Sequence, residues 1–495
     1  MKIGLMRKWY HPLGCRWIGS IIFTTALAAF SLNAKADSLL EWAAKAVTAF
    51  TSAPSTSTPD AVSPHMHGAP LPSGADAASE KDFRKVYLAW LNRAIVLNFP
   101  AAKDPKGAAY LAASVQYLSR NQQIEAPAAL QAQERSFDLQ TVNDPGLLLM
   151  IGIIEPPSAR HIAALDKALS LFPGSTYPKF LWFMAAANAG KAESDMHANA
   201  DELKARDDVS LKYLDAGLRD GSFLPGEMSA LRWRFDAGSV EDLFSRNGQQ
   251  VADIFESSPN ADPWVKDYVA GVNFVKAAWD SRGADWAKSV TPQGWHGFAQ
   301  NLSFARTHLV KSWNENPHDP AAAAEMIKVC MGESEATDTM RSWFDHSVAA
   351  DFDYMRAYGQ LTWGLRPRWL GNFAEMDAFG RECAATGRYD TCVPDEQVAV
   401  VLDICDDTDV HGAPLENPHY SGEVLTVLNK YFEQPNPELD IIYSHTVAAI
   451  AAHKAGRMDE AKRHLAAISY KPYASRFLMG LDDIPGLVTQ TQALP

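Results

Sequence analysis

Residues able to do chemistry or recognition are densest between Trp343 and Trp369. Trp343, Phe344, Phe352, Tyr354, Tyr358, Trp363 and Trp369 alternate there with Asp345, His346, Asp351, Asp353, Arg356, Arg366 and Arg368. Two chemistries fit such a mixture. Arginine planes stack on indoles while their N–H groups grip carboxylates, which serves equally for joining two helices or for binding a ligand. A histidine beside aspartates can instead exchange protons, with Asp345-His346 and Asp351/Asp353 as the acid–base set. Acids two apart on a helix point in different directions, however, and a working pair must converge.

These possibilities can be ranked. Arg366 and Arg368 pairing with Asp351 and Asp353, with Trp363 or Trp369 stacked on the guanidinium planes and Pro367 fixing the turn, is the favoured arrangement. The runner-up places Trp343, Asp351, Asp353, Tyr358, Trp363, Arg366, Arg368 and Trp369 along a groove that takes a peptide carboxylate or a sugar ring. An enzyme ranks third, because G-x-S-x-G, H-E-x-x-H and Walker signatures are all missing. No cofactor is expected. His411 and His419 follow Asp406, Asp407 and Asp409, but acidic loops are usually only solvated, so no metal is expected there either. His65-Met66-His67 is read as incidental.

Around this stretch the chain is rich in alanine and poor in strand-forming runs, which favours helices as the positioning elements. Phe83, Val86, Tyr87, Trp90, Leu91, Ala94 and Leu97 recur at helical spacing, as do Tyr110, Leu111, Val115 and Leu118. Leu147–Ile154 is uniformly apolar and reads as a buried helix segment or as the one good strand candidate. From Ser158 onward helix follows helix: 194–206, 209–218, 224–236, 239–257, 263–281, 296–315, 320–331, 337–350, 372–386, 395–404, 421–432, 438–455 and 458–468. Ala448, Ala449, Gly456, Ala461, Leu465 and Ile468 have the spacing of a tetratricopeptide pair. The expected fold is therefore all-α, a tetratricopeptide-like helix-turn-helix solenoid.

Residues 1–36 have the pattern of an export signal. Lys2, Arg7, Lys8 and Arg16 precede an apolar run, and Ala34-Lys35-Ala36 offers a cleavage site. Residues 37–79 form a Ser/Thr/Pro/Ala-rich segment expected to be disordered. The divisions that follow are an N-terminal helical region (80–157), a tetratricopeptide-like domain (158–475) and a tail (476–495). Export places the protein in the periplasm or beyond, with no stable membrane insertion after cleavage.

Loss of residues 1–36 would leave 40 basic against 59 acidic residues, a formal charge of −19 compared with −14 for the whole chain. So acidic a surface repels phosphate backbones and excludes nucleic acid as the expected partner. Cys330, Cys383, Cys392 and Cys405 would remain, an even number that permits two disulfides, with Cys383 and Cys392 close enough to close a small loop.

Residues 286–295, 320–327, Met331-Gly332, Trp343-Phe344, Asp351-Phe352-Asp353 and 363–369 together resemble a bacterial domain-of-unknown-function family with tetratricopeptide-like helices. The likeness covers about 210–405. It implies a fold and carries no catalytic residues. Helix pairing and the aromatic–arginine stretch together lead to the expectation of an exported helical-repeat scaffold for a protein or peptide partner. The alternative is a periplasmic enzyme or a carbohydrate or small-ligand binder using 343–369.

Overall fold

The computed structural model describes residues 71, 80–118, 126–154, 158–224, 226–229, 238–284, 287–434 and 439–494. The export signal, almost all of the 37–79 segment, and Trp286 fall outside them. The described residues are all-α, with no strand among them.

In chain order the helices are α1 (Glu80–Ala94), α2 (Pro105–Leu118), α3 (Ala128–Arg135), α4 (Pro145–Ile154), α5 (Ala159–Leu171), α6 (Lys179–Asp195) and α7 (Ala200–Arg219). They continue with α8 (Gly238–Ser257), α9 (Pro263–Arg282), α10 (Pro292–Glu315), α11 (Ala321–Gly332), α12 (Thr337–Ala350) and α13 (Met355–Gly364). The last seven are α14 (Phe373–Ala385), α15 (Glu396–Asp406), α16 (Pro418–Glu433), α17 (Ile441–Lys454), α18 (Met458–Ala467), α19 (Arg476–Leu481) and α20 (Ile484–Ala493).

The ambiguous run 147–154 is helix α4. The Asp144 carboxylate accepts from Leu147 N–H at its start, and a helix satisfies the backbone of a segment buried on nearly every side. Where the sequence predicts helices at 194–206 and 209–218, one helix runs through. Asn199 and Glu202 form a capping box that starts it at Ala200. Asp207 does not break it, because its carboxylate is buried against Arg246 and Asn247 of α8. Two more helices, α19 and α20, occupy the expected tail, and Phe477, Leu478, Leu481, Ile484 and Leu487 bury their apolar sides.

The main helix–helix contacts join each helix to the next or next but one in sequence. α9 and α10 show how. Ser312 Oγ donates to Trp264 O at 2.8 Å while Trp279 meets Phe298 at the other end, so the two run antiparallel. Gly271 lets them close, since a Cβ there would lie 2.6 Å from Leu309 Cγ. The α17–α18 pair turns through Gly456 in the left-handed region (φ 72°), as its tetratricopeptide-like spacing predicts. α1 reaches farther along the chain. Its Trp90 indole donates to Ser222 O at 3.0 Å and stacks on Phe223.

The core has two parts, one running from Leu71 to Ile404 and one from Tyr389 to Leu487. α15 belongs to both. Val400 and Ile404 face the first part, while Val398, Val401, Leu402 and Cys405 face the second. Every residue from Glu396 to Cys405 is buried, so the C-terminal end of α15 is fixed from two sides.

Candidate functional site

The site is built where α13 ends. Gly364 packs against Met340, which leaves no room for a Cβ (2.7 Å from Sδ), and Pro367 cannot continue the helix. The chain turns back on itself, with Trp369 N–H bonded to Arg366 O and Gly371 pressed against Leu365. Trp363, Arg366, Arg368 and Trp369 thereby project from one short segment.

Arg366 is 3% exposed and lies across the C-terminal end of α15. Its Nε donates to Asp407 at 2.5 Å and its Nη2 to Asp406 at 2.8 Å, with Asp403 3.6 Å from Nη1. Arg368 also grips Asp407. Both guanidinium groups lie over the Trp363 ring, at 4.8 and 5.5 Å from its centroid. A helix C-terminus already favours cations, and three carboxylates there reinforce the field. The expected clamp of arginines, acids and an indole is present, but its acids differ. They are Asp403, Asp406 and Asp407, and not Asp351 and Asp353. Asp406 and Asp407 end a helix and are not part of a solvated loop.

Asp351 and Asp353 are buried where the chain passes from α12 to α13, and neither bonds to Arg366 or Arg368. Tyr358 is a core residue. It packs edge-on to Phe344 at 5.0 Å and donates its hydroxyl to Phe352 O at 2.7 Å, and burial pushes its phenol well above the ordinary range. Trp343 belongs to a second surface, with Trp313 at 6.5 Å and His346 at 5.5 Å. So of the eight expected binding residues, Trp363, Arg366, Arg368 and Trp369 come together and the other four do not join them.

The acid–base arrangement is not formed. His346 is exposed, with its ring against Trp313 and Trp343 and no hydrogen bond to a carboxylate. Asp345 is instead bonded at 2.7 Å to Arg341, which reaches Glu382 with two further bonds of 2.7 Å. In the 406–419 region, His411 meets Cys405 O and His419 meets Asp377. Among the described residues no group of three or more His, Cys, Asp or Glu side chains could hold a metal ion.

No family model, no curated protein and no solved structure matches the chain.

Sequence reasoning missed part of the site. Trp369 meets Trp279 edge-on at 5.5 Å, and Arg282 lies 5.7, 5.7 and 5.8 Å from the rings of Trp279, Trp295 and Trp369. An aromatic band therefore runs from Trp363 through Trp369 and Trp279 to Trp295. Its one local signal is Trp279 and Arg282 at i, i+3 on α9, which places them on the same helix face. Burial lowers the Arg282 pKa.

The disulfide expectation is corrected in part. Cys330, Cys383 and Cys405 are free and buried, so no two of the four expected cysteines are joined to each other, and of the four Cys392 alone is disulfide-bonded. Cys383 lies inside α14 among the residues that pack on Tyr358, and burial raises its thiol pKa well above the ordinary value. No described helix is long and apolar enough to cross a membrane.

Proposed function

We propose that this chain is an exported helical-repeat scaffold, a solenoid of tetratricopeptide-like pairs, that binds a protein or peptide partner at Trp363 and Arg368. The observation that carries it is a division of labour between two adjacent arginines. Arg366 is buried and spent on the aspartates of α15, while Arg368, which shares only Asp407, keeps 43% of its side chain exposed beside Trp363, itself 39% exposed. An indole and a guanidinium held rigid at a surface lose little entropy on binding, and Trp and Arg are the residues that most often anchor interfaces. The ligand group this pair suits is a carboxylate next to an apolar or aromatic side chain, as at a peptide C-terminus.

A second reading, a sugar-ring binder, draws on the other aromatic surface. Trp313, Trp343 and His346 offer partly exposed rings within 5.3–6.5 Å of one another.

Fluorescent peptides ending in an aromatic residue, made with free and with amidated C-termini, test the first reading by anisotropy. Binding should favour the free carboxylate. The Trp363→Ala/Arg368→Ala variant should lose at least about tenfold in affinity, the usual loss for one hot-spot anchor, with its melting temperature little changed. Equal binding by this variant and wild type would reject the site, and binding lost only by Trp343→Ala would move it to the second surface.

A further inference from the structure

Away from this site, α17 and α18 face each other through two histidines. His445 Nδ1 and His464 Nδ1 are 3.1 Å apart, so one ring must donate and the other accept. Phe432 of α16 stacks flat on His445 at 3.8 Å and also touches the His464 ring. His464 is 3% exposed, and its second nitrogen is buried without a hydrogen-bond partner, 4.0 Å from Glu460.

We propose that this pair is a proton-operated latch, whose protonation separates α18 from α17 and opens the C-terminal helix pair in mild acid. With a proton on every nitrogen both Nδ1 atoms become donors. The hydrogen bond between them is then lost, and two positive charges face each other at contact distance.

The surroundings oppose that charged state. Arg457 at the start of α18 and Arg463 within it flank His464, and Glu460 is already engaged by both arginines and by Asn429 of α16. α16 offers the apolar Phe432 ring, α17 offers His445, and α20 carries no ionisable side chain. Burial, with His445 acting in the same sense, lowers the His464 pKa to about 4, and burial also lowers that of His445.

The sign follows from linkage. Each histidine titrates near its ordinary value of about 6.5 when unfolded and lower when folded, so the folded pair is fully stable above the unfolded value. That stability falls as the pH drops from about 6.5 towards 4. The chain just past α19 is tied to α17 by a separate contact, His453 Nδ1 to Asp482 at 2.5 Å.

Hydrogen exchange of the full chain between pH 7 and 4.5, corrected for intrinsic rates, tests the latch. Wild-type α18 amides should lose at least tenfold in protection over this range while α9 and α10 hold theirs. His464→Gln should flatten the change. His445→Phe, which keeps the stack on Phe432, should do the same and serves as the second variant if His464→Gln folds poorly. Two results would overturn the latch. One is α18 protection in wild type that does not vary with pH. The other is an acid loss in a folded variant equal to that of wild type.

Discussion

Arg356 and Glu325 form an ion pair sealed between α13 and α11. Two guanidinium nitrogens of Arg356 converge on one Glu325 oxygen, at 2.5 and 2.9 Å, and the carboxylate is fully buried. Lys328 stands beside it at 3.2 Å, and Gln360 donates to the same oxygen. Burial alone would raise the Glu325 pKa, but Arg356 and Lys328 hold it down at about 2. Glu325→Gln leaves those cations without their counter-charge and should cost about 3–5 kcal/mol by urea denaturation. The same pair sets an acid limit. Its stabilisation is complete above the unfolded glutamate value and is lost as the pH falls from about 4.3 towards 2.

Arg366 and Arg368 should differ several-fold in their effect on stability. Arg366→Ala strands Asp406, leaves Asp407 to the exposed Arg368 alone, and should cost about 3–5 kcal/mol. Arg368→Ala, exposed and screened by solvent, should cost at most about 1 kcal/mol. Equal losses in chemical denaturation would mean that both arginines serve the fold alone.

Trp90→Ala should detach α1. The indole is fully buried, and its bond to Ser222 O links two segments 132 residues apart in the chain. A loss of about 3–5 kcal/mol is expected for emptying such a site. Limited proteolysis should then cut between α1 and α2 faster than in the wild type.

Cys330, Cys383 and Cys405 should resist a thiol reagent in the folded protein and react on unfolding. Burial raises the pKa of each, that of Cys405 to about 12, so little thiolate exists at neutral pH. Peptide mapping after labelling checks this, and a disulfide between any two of the three would contradict it.

Much of the helical framework was legible in the sequence, for local reasons. α9 and α12 carry their boundaries in Pro263 and Gly283, and in Thr337 and the change at Asp351. α13 was missed because it has ten residues, no side-chain cap, and aromatics on several faces that blur its period. The arginine–indole clamp could be foreseen because Trp363, Arg366 and Arg368 are neighbours. Its aspartates could not, because α15 lies about 40 residues on and only packing brings it to Arg366. The two arginines had nearer acids to choose, and burial of Asp351 and Asp353 at the α12–α13 corner removed them from the choice.

α10 ties the two aromatic surfaces to one rigid element. Trp295 near its start belongs to the band that leads to Trp363, and Trp313 near its end belongs to the surface of Trp343 and His346. Eighteen residues of unbroken helix hold them about 27 Å apart. Were Trp363 and Trp343 both to bind, as the two proposed readings have it, a ligand able to reach both would gain the effective concentration that tethering confers.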